Sequence, residues 1–123
     1  MIQSYRDLRV WQLGMDLTVD LYKTTQSFPS EEKFGLTSQI RRAASSIPAN
    51  IAEGHARGRK EYLHFLRIAA GSITELETHL MISQRVGFLA EAKLDETLRT
   101  TEQLGRMLNK LRSTLNKPQA PNP

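Results

Sequence analysis

A row of polar residues in the middle of the chain is the strongest candidate for a site that does chemistry. Its members recur every three or four residues, the spacing that places side chains on one side of a helix: Arg42, Ser46, Asn50, Glu53, Arg57 and Lys60. Glu53 precedes Arg57 by four residues, the favourable order for an intrahelical ion pair worth about 0.3–0.5 kcal/mol. Because no nucleophile and base accompany Asn50 and Glu53, we interpret both as fixing helix packing rather than catalysing a reaction.

The three histidines supply only half of a metal motif. Glu61-x-x-His64 matches one Glu-x-x-His pair of a di-iron helical bundle, but Glu75 and His79 are four residues apart and do not supply the other. The chain has no cysteine, which excludes disulfides and thiolate metal sites. We therefore predict no metal, no cofactor and no catalytic residue, and expect that the protein is not an enzyme. A small metal-dependent enzyme is the third alternative.

Basic residues are concentrated in the middle third of the chain. Between Lys33 and Arg67, seven Lys and Arg stand against two Glu, a net charge of +5, whereas the whole chain carries +4. Such a segment attracts a polyanion if its side chains share a face, and the alternative is an ordinary solvated surface. The nucleic-acid contacts that we predict, mostly to phosphates, are Arg41, Arg42, Arg57, Arg59, Lys60 and Arg67, with Arg85 as a further candidate.

Length and composition indicate one cytoplasmic domain. A chain of 123 residues is long enough for a single core. No apolar stretch approaches the ~20 residues of a membrane span, and charged residues near the start argue against a signal peptide. We therefore expect a soluble protein located in the cytoplasm, with no membrane partner.

Apolar residues recur at helical spacing in four segments. They predict helices over about residues 7–27, 36–57, 59–85 and 90–116. The first segment carries two rows: Leu8, Trp11, Met15, Thr18 and Tyr22 form one, and Val10, Leu17 and Leu21 form the other. Four long helices with short connections predict an all-α, antiparallel up-down-up-down bundle over residues 1–117, followed by a disordered Pro-rich tail over residues 118–123.

Pro48 lies inside the second predicted helix. An interior proline removes one backbone hydrogen bond and clashes with the carbonyl four residues back, at a cost of about 3 kcal/mol. We therefore predict a kink near Ala44, where the hydroxyl of Ser45 or Ser46 could bond the freed carbonyl.

The first and third helices carry more apolar residues than one core needs. On the first helix the surplus residues are Val10, Leu17 and Leu21. On the third helix they are Leu63, Phe65, Ile68 and Ile82, which lie outside its main row of Tyr62, Leu66, Ala69, Ile73, Leu76, Leu80 and Ser83. Surplus apolar surface on a small helical protein predicts contact with another copy of the chain. A wide stripe that faces the core is the alternative.

Ordered motifs give the chain a family resemblance. They are Tyr5–Gln12, Phe28–Glu32, Gly35–Gln39, Arg42–Gly54 and Phe65–Thr78. Over about residues 4–115, the chain resembles the four-helix-bundle proteins encoded in intervening sequences of bacterial 23S rRNA genes. It is similar, more distantly, to the accessory protein of diversity-generating retroelements, a pentameric bundle that binds nucleic acid and a reverse transcriptase.

The resemblance implies a fold and an assembly but no activity. It implies an antiparallel bundle that assembles as a ring, typically a homopentamer, with RNA or DNA binding suspected and no catalytic residue assigned. The residues that match the family motif most closely are Ser46, Pro48, Asn50, Glu53 and Gly54, which we interpret as architectural. We therefore predict a non-enzymatic homo-oligomer that binds nucleic acid, RNA more than DNA. The main alternative is a structural or adaptor protein whose partner is another protein.

Overall fold

Four α-helices form the structure, a computed structural model that describes residues 2–117. They are α1 (Arg9–Thr25), α2 (Leu36–His55), α3 (Arg59–Arg85) and α4 (Glu91–Asn116). No strand occurs among the described residues, and no helix within that range is long and apolar enough to span a membrane. The predicted all-α class is confirmed, whereas the predicted tail over residues 118–123 lies outside the described residues.

The first helix is shorter than expected because the chain before it forms a separate turn. Tyr5–Asp7 is a single 3-10 turn, and Leu8 is extended (φ −75°, ψ 125°), so α1 begins at Arg9 rather than residue 7. Ser4 caps that turn by accepting a hydrogen bond from the N–H of Arg6 (3.1 Å). At its other end α1 stops two residues before the expected residue 27.

The second and fourth helices also differ slightly from the expected ranges. α2 ends at His55 rather than residue 57 because the N–H of Arg57 bonds the carbonyl oxygen of Gly54 (3.0 Å), which tightens the last turn. α4 begins at Glu91 rather than residue 90 because Ala90 is extended (φ −67°, ψ 144°). A second 3-10 turn lies in the connection between α1 and α2.

Contacts between neighbouring helices show that each pair runs antiparallel. In every pair, a residue late in one helix contacts a residue early in the next. The contacts join α1 to α2 (Tyr22 with Arg41, Gly14 with Pro48), α2 to α3 (Ser46 with Ser72, Gly54 with Tyr62), α3 to α4 (Glu77 with Thr101, Arg59 with Leu115) and α1 to α4 (Asp20 with Lys93). α1 and α3 therefore occupy opposite corners, and the predicted up-down-up-down bundle is confirmed.

One apolar face of each helix forms the core, where burying a Leu or Ile contributes about 1.5–3 kcal/mol. The whole predicted row of α3 is buried: Tyr62, Leu66, Ala69, Ile73, Leu76, Leu80 and Ser83. On α1, by contrast, Val10, Leu17 and Leu21 are buried. Met15 and Tyr22 of the other row are exposed. The apolar surplus of α1 is thus a different set of residues from the one expected.

α2 continues through Pro48 without interruption. The proline ring packs against α1, where a Cβ built on Gly14 would lie 3.4 Å from Pro48 Cδ. The neighbouring hydroxyls do not replace the lost N–H, contrary to the prediction: Ser45 donates to the carbonyl three residues back (3.3 Å), and Ser46 pairs with α3. The predicted kink stays a prediction.

Candidate nucleic-acid interface

Five of the six predicted phosphate-binding residues fall into two groups at opposite ends of the bundle. Arg41 and Arg42 lie in the second turn of α2, beside the end of α1. Arg57, Arg59 and Lys60 surround the connection between α2 and α3. At 1.5 Å per residue, about 20 Å of helix separates the two groups. A single chain therefore does not bring the predicted residues into one patch.

Arg41 is engaged with the end of α1. Its Nε donates to Thr25 Oγ1 (3.0 Å), and its Nη2 donates to the carbonyl oxygen of Tyr22 (3.1 Å). The guanidinium also lies over the Tyr22 ring, 4.6 Å from the centroid. The last carbonyls of a helix lack intrahelical partners, so Arg41 satisfies one of them and ties α2 to α1.

Arg57 and Arg59 also have partners within the chain. Arg57 donates to Glu53 through Nε (3.1 Å) and lies over the Phe65 ring, 5.1 Å from the centroid. Both members of this ion pair are half exposed, so it contributes at most about 1 kcal/mol. Arg59 donates to the carbonyl oxygens of Leu115 and Lys117 (2.7 Å to the latter), which ties the start of α3 to the end of α4.

A line of exposed cations runs along α3. Lys60 and Arg67 have no hydrogen bond or ion pair from their side chains among residues 2–117, and the same is true of Arg85. Arg67 follows Lys60 by about two helical turns, and Arg85 follows Arg67 by about five turns. The three side chains therefore lie on one outward line, which we call the α3 cationic row. On α2, Arg42 is likewise exposed and without a side-chain partner in that range.

Most of the basic side chains have no carboxylate within 4.0 Å among residues 2–117. All seventeen Lys and Arg lie among the described residues, and only two of them have a carboxylate of that range within 4.0 Å. These are Arg57, paired with Glu53, and Lys93, paired with Asp20 (2.7 Å) and Glu96 (3.6 Å). Surface cations without internal partners are the groups that neutralise phosphates.

A groove between the end of α1 and the start of α2 contains residues that the sequence analysis missed. We call it the α1–α2 groove; it has a volume of about 290 Å³ and is lined by Tyr22, Lys33, Phe34, Thr37, Ser38, Arg41, Arg42 and Ser45. The Phe34 side chain is 87% exposed, and Lys33 Nζ lies 5.6 Å from its ring centroid. The signal that could have revealed it is a Lys-Phe pair placed just before Gly35, outside every apolar row.

A second polar groove, which we call the α4 groove, lies near the end of α4. It is lined by Asn109, Arg112, Ser113, Asn116 and Lys117 and contains no carboxylate. The three-residue and four-residue spacing of these side chains was the available signal. Because Arg59 holds this end of α4, the groove lies at the same end of the bundle as Lys60.

Three of the residues that match the family motif, Ser46, Pro48 and Gly54, lie where α2 packs on its neighbours, whereas Glu53 is exposed and pairs with Arg57. Ser46 and Ser72 join α2 to α3 through a hydroxyl pair (2.8 Å). Asn50 donates to the carbonyl oxygen and to the hydroxyl of Ser46 (2.7 and 2.9 Å), one turn earlier on α2. At Gly54, a Cβ would lie 2.8 Å from Phe65 Cβ, so α2 and α3 approach closely there.

The remaining titratable groups have structural explanations. Within residues 2–117 no group of three or more His, Asp or Glu is arranged to hold a metal ion. His79 lies 3.5 Å from Glu75, one turn away on α3. Burial raises the pKa of Tyr62, and the hydrogen bond to Asp20 raises the pKa of Lys93.

Comparison with known proteins identifies the family. The family model described as 23S rRNA-intervening sequence protein matches residues 6–110. The chain belongs to this family. The resemblance stated from the motifs is therefore confirmed, whereas the more distant similarity to the retroelement accessory protein stays a prediction.

A solved structure supports the fold of this chain. It is a protein with unknown function from the S23 ribosomal protein family of Bacteroides thetaiotaomicron, with a TM-score of 0.78 and 20% sequence identity. The alignment covers 85% of this chain and 95% of that chain. At this identity the similarity shows a shared fold alone. No curated protein matches the chain.

Two of the three candidate surfaces lie within the residues that the family model matches. The α3 cationic row and the α1–α2 groove fall inside residues 6–110. Arg112 and Lys117 of the α4 groove lie beyond that match.

Proposed function

We propose that this protein is a non-catalytic, self-associating bundle that binds nucleic acid mainly through phosphate contacts. The observation that carries the proposal is the excess of exposed Lys and Arg without carboxylate partners among the described residues, including Arg42 and the α3 cationic row. Contacts of this kind release counterions and carry little sequence information. The preference for RNA over DNA takes its support from the rRNA named in the family description.

Exposed apolar residues on two opposite helices support self-association. Met15, Val19 and Tyr22 follow each other at four-residue and three-residue spacing on α1, and Val19 is 50% exposed. Ile68 and Ile82 are exposed on α3, as is Val86, the residue that follows its last turn, at 54%. We call these sets the α1 patch and the α3 patch. Because α1 and α3 occupy opposite corners, the patches suit a head-to-tail contact, in which the α1 patch of one copy meets the α3 patch of the next.

Self-association would also compensate for the separation of the cations on one chain. A head-to-tail contact repeated around an axis closes into a ring, and the family resemblance implies five copies. A ring presents the same cationic group once per copy around each rim. A polyanion could then contact several copies at once, which raises the overall affinity without any new type of contact.

Salt-dependent binding of a labelled RNA hairpin tests the nucleic-acid proposal. The variant Arg42→Gln/Lys60→Gln/Arg67→Gln removes three exposed cations that have no side-chain partners among the described residues. We expect it to bind more weakly than the wild type. The slope of log affinity against log salt should fall by about 0.7–0.9 for each phosphate that the variant no longer neutralises. Fluorescence anisotropy at several salt concentrations measures both quantities.

A charge-matched variant provides the control. Lys23→Gln/Arg99→Gln/Arg106→Gln also removes three exposed cations, all outside the predicted site. We expect it to keep most of the wild-type affinity. Binding that does not weaken with salt would contradict the proposal, and an equal loss in both variants would show that net charge alone matters.

An adaptor role is the second candidate, favoured by the exposed apolar residues if they do not mediate self-association. In that case the α1 patch or the α3 patch would cover another protein. Purification from the native cell distinguishes the two. A stoichiometric bound polypeptide without nucleic-acid absorbance would support the adaptor role and contradict the nucleic-acid proposal.

A further inference from the structure

The α1–α2 groove has the composition of a nucleotide site. Its lining combines three cations, two aromatic rings and three Ser or Thr hydroxyls, and it contains no carboxylate. Cations pair with phosphates, hydroxyls bond phosphate and sugar oxygens, and aromatic rings stack on bases. Its volume of about 290 Å³ is near the lower limit of small-ligand sites, roughly 300–1,000 Å³. The space suits one nucleotide rather than a folded peptide.

Phe34 supplies the stacking surface. Its ring contributes almost nothing to the core because the side chain is 87% exposed. Lys33 Nζ lies over the ring at 5.6 Å from the centroid, and the rest of the ring is open to solvent. Stacking on an aromatic side chain tolerates any base, since every base has a π face. A single exposed ring beside a cation therefore suits an unpaired base of any identity.

Two of the three cations in the groove are available to a phosphate. Arg41 is held by Thr25 and by the Tyr22 carbonyl, whereas Lys33 and Arg42 make no ion pair within residues 2–117. The nearest acidic side chain in sequence, that of Glu32, faces the start of α2, where Oε1 accepts the N–H of Leu36 (3.0 Å). The positive charge of the groove is therefore not neutralised by its own loop.

A second copy of the chain suits the groove less well. The groove adjoins the α1 patch at Tyr22, so a neighbouring copy in a ring would lie close to it. The centres of protein interfaces are depleted in charged residues, because burying a charge without a partner is costly. Packing against the groove would bring three cations, including Arg42, into such a centre.

We propose that the α1–α2 groove binds an unpaired nucleotide of a single-stranded RNA segment, with its base on Phe34 and its phosphate at Lys33 and Arg42. The inference rests on the proposed function, because it specifies one subsite of the same nucleic-acid surface. It adds a distinction that phosphate contacts alone do not make. A site that stacks a base binds single strands, whereas a row of cations binds single strands and duplexes alike.

Two probes of equal length separate this subsite from general phosphate binding: single-stranded oligouridine and a blunt RNA duplex. Phe34→Ala should weaken oligouridine binding by about 5- to 160-fold, the range for one base stacked on an aromatic side chain, and leave duplex binding unchanged. Phe34→Trp should retain the affinity, and the fluorescence of the added indole should be quenched by oligouridine. Ile2→Ala, which shortens another exposed apolar side chain outside both patches and the groove, is the matched control and should bind both probes as the wild type does.

Each other result overturns the inference in a recognisable way. If the wild type binds neither probe, the nucleic-acid function and the subsite both fail. If the wild type binds both probes and Phe34→Ala binds oligouridine equally well, the subsite fails and the proposed function stands. If Phe34→Ala lowers the mass measured by light scattering, the groove faces a second copy of the chain. Circular dichroism verifies that the variants are folded, as expected for a side chain that lies outside the core.

Discussion

Pro48 of α2 packs directly against Gly14 of α1. A Cβ on residue 14 would lie 3.4 Å from Pro48 Cδ and 3.6 Å from the Cγ2 atom of Ile47, which are ordinary contact distances. The interior proline, which costs α2 a backbone hydrogen bond, therefore lies at a close approach of two helices. The close approach depends on a small residue at position 14.

Substitutions at Gly14 should separate helix propensity from packing. Gly14→Ala places its methyl group at contact distance. It should raise the free energy of unfolding by no more than about 1 kcal/mol, because alanine has the better helix propensity. Gly14→Leu should destabilise the protein by about 1–3 kcal/mol, because the larger side chain overlaps Pro48. Urea denaturation measures both. Gly71→Leu, at a position with no atom within 4 Å of the built Cβ, is the control and should be tolerated.

At Gly54 even a methyl group should be harmful. A Cβ there would lie 2.8 Å from Phe65 Cβ and 3.0 Å from Tyr62 Cδ1, closer than packed atoms approach. We expect Gly54→Ala to lower the free energy of unfolding by about 1–3 kcal/mol despite the better helix propensity of alanine. Gly105→Ala, in open space on α4, should instead be neutral or stabilising by up to about 1 kcal/mol. Equal stabilisation at both positions would show that α2 and α3 do not pack this closely.

The hydroxyl pair of Ser46 and Ser72 should behave as one unit. Ser46→Ala leaves the buried Ser72 hydroxyl and the Asn50 amide without that partner, a loss of about 1–3 kcal/mol. Ser46→Ala/Ser72→Ala should cost less than the sum of the single changes, because it removes both ends of the bond. A double-mutant cycle in urea measures the coupling, and additive losses would contradict it. Ser45→Ala, which loses only a local bond, should remain within about 0.5 kcal/mol of the wild type.

The phenol of Tyr62 should make the protein sensitive to alkali. Its oxygen is buried without a hydrogen-bond partner among the described residues, and burial raises its pKa above the ordinary value. The folded state therefore keeps its proton longer than the unfolded state. The contribution of the protonated Tyr62 phenol to the free energy of unfolding is fully present below about pH 10, and it is lost as the pH rises through the pKa of the folded state.

Tyr62→Phe tests both consequences. The variant should be more stable than the wild type by about 1 kcal/mol at neutral pH, because it removes a buried hydroxyl that has no partner. It should also lose less stability than the wild type above pH 10. Lys93, whose pKa is raised by its bond to Asp20, contributes in the same direction in both proteins. Tyr22→Phe, at an exposed tyrosine, is the control, and identical alkaline profiles for wild type and Tyr62→Phe would refute the prediction.

The apolar spacing was sufficient to predict the bundle but not to choose between two rows on one helix. α3 carries one unbroken row of apolar residues, and that row is buried. α1 carries two adjacent rows with similar composition, so its orientation depends on where α2 and α4 pack. Contacts such as that of Gly14 with Pro48 decide it, and they join residues far apart in sequence.

The candidate site was predicted less completely for the same reason. Charge counting found Arg41 and Arg59, yet both are bound to carbonyl oxygens at the ends of neighbouring helices. Those carbonyls come near only after the helices pack. Phe34 had no periodic pattern to mark it, and its groove is formed only when the end of α1 meets the start of α2.

The head-to-tail contact makes a prediction that a symmetric dimer does not. Val19→Glu in the α1 patch and Val86→Glu in the α3 patch should each prevent ring closure, because each places a charge in one half of the contact. Each variant retains the other patch intact. A mixture of the two should therefore form a species of two chains, in which the α3 patch of the first meets the α1 patch of the second. Light scattering of the separate and mixed variants measures this. If α1 patches met each other instead, Val86→Glu would assemble like the wild type and mixing would add nothing. If the wild type is monomeric at micromolar concentration, self-association is contradicted, and both patches would be available to bind another protein.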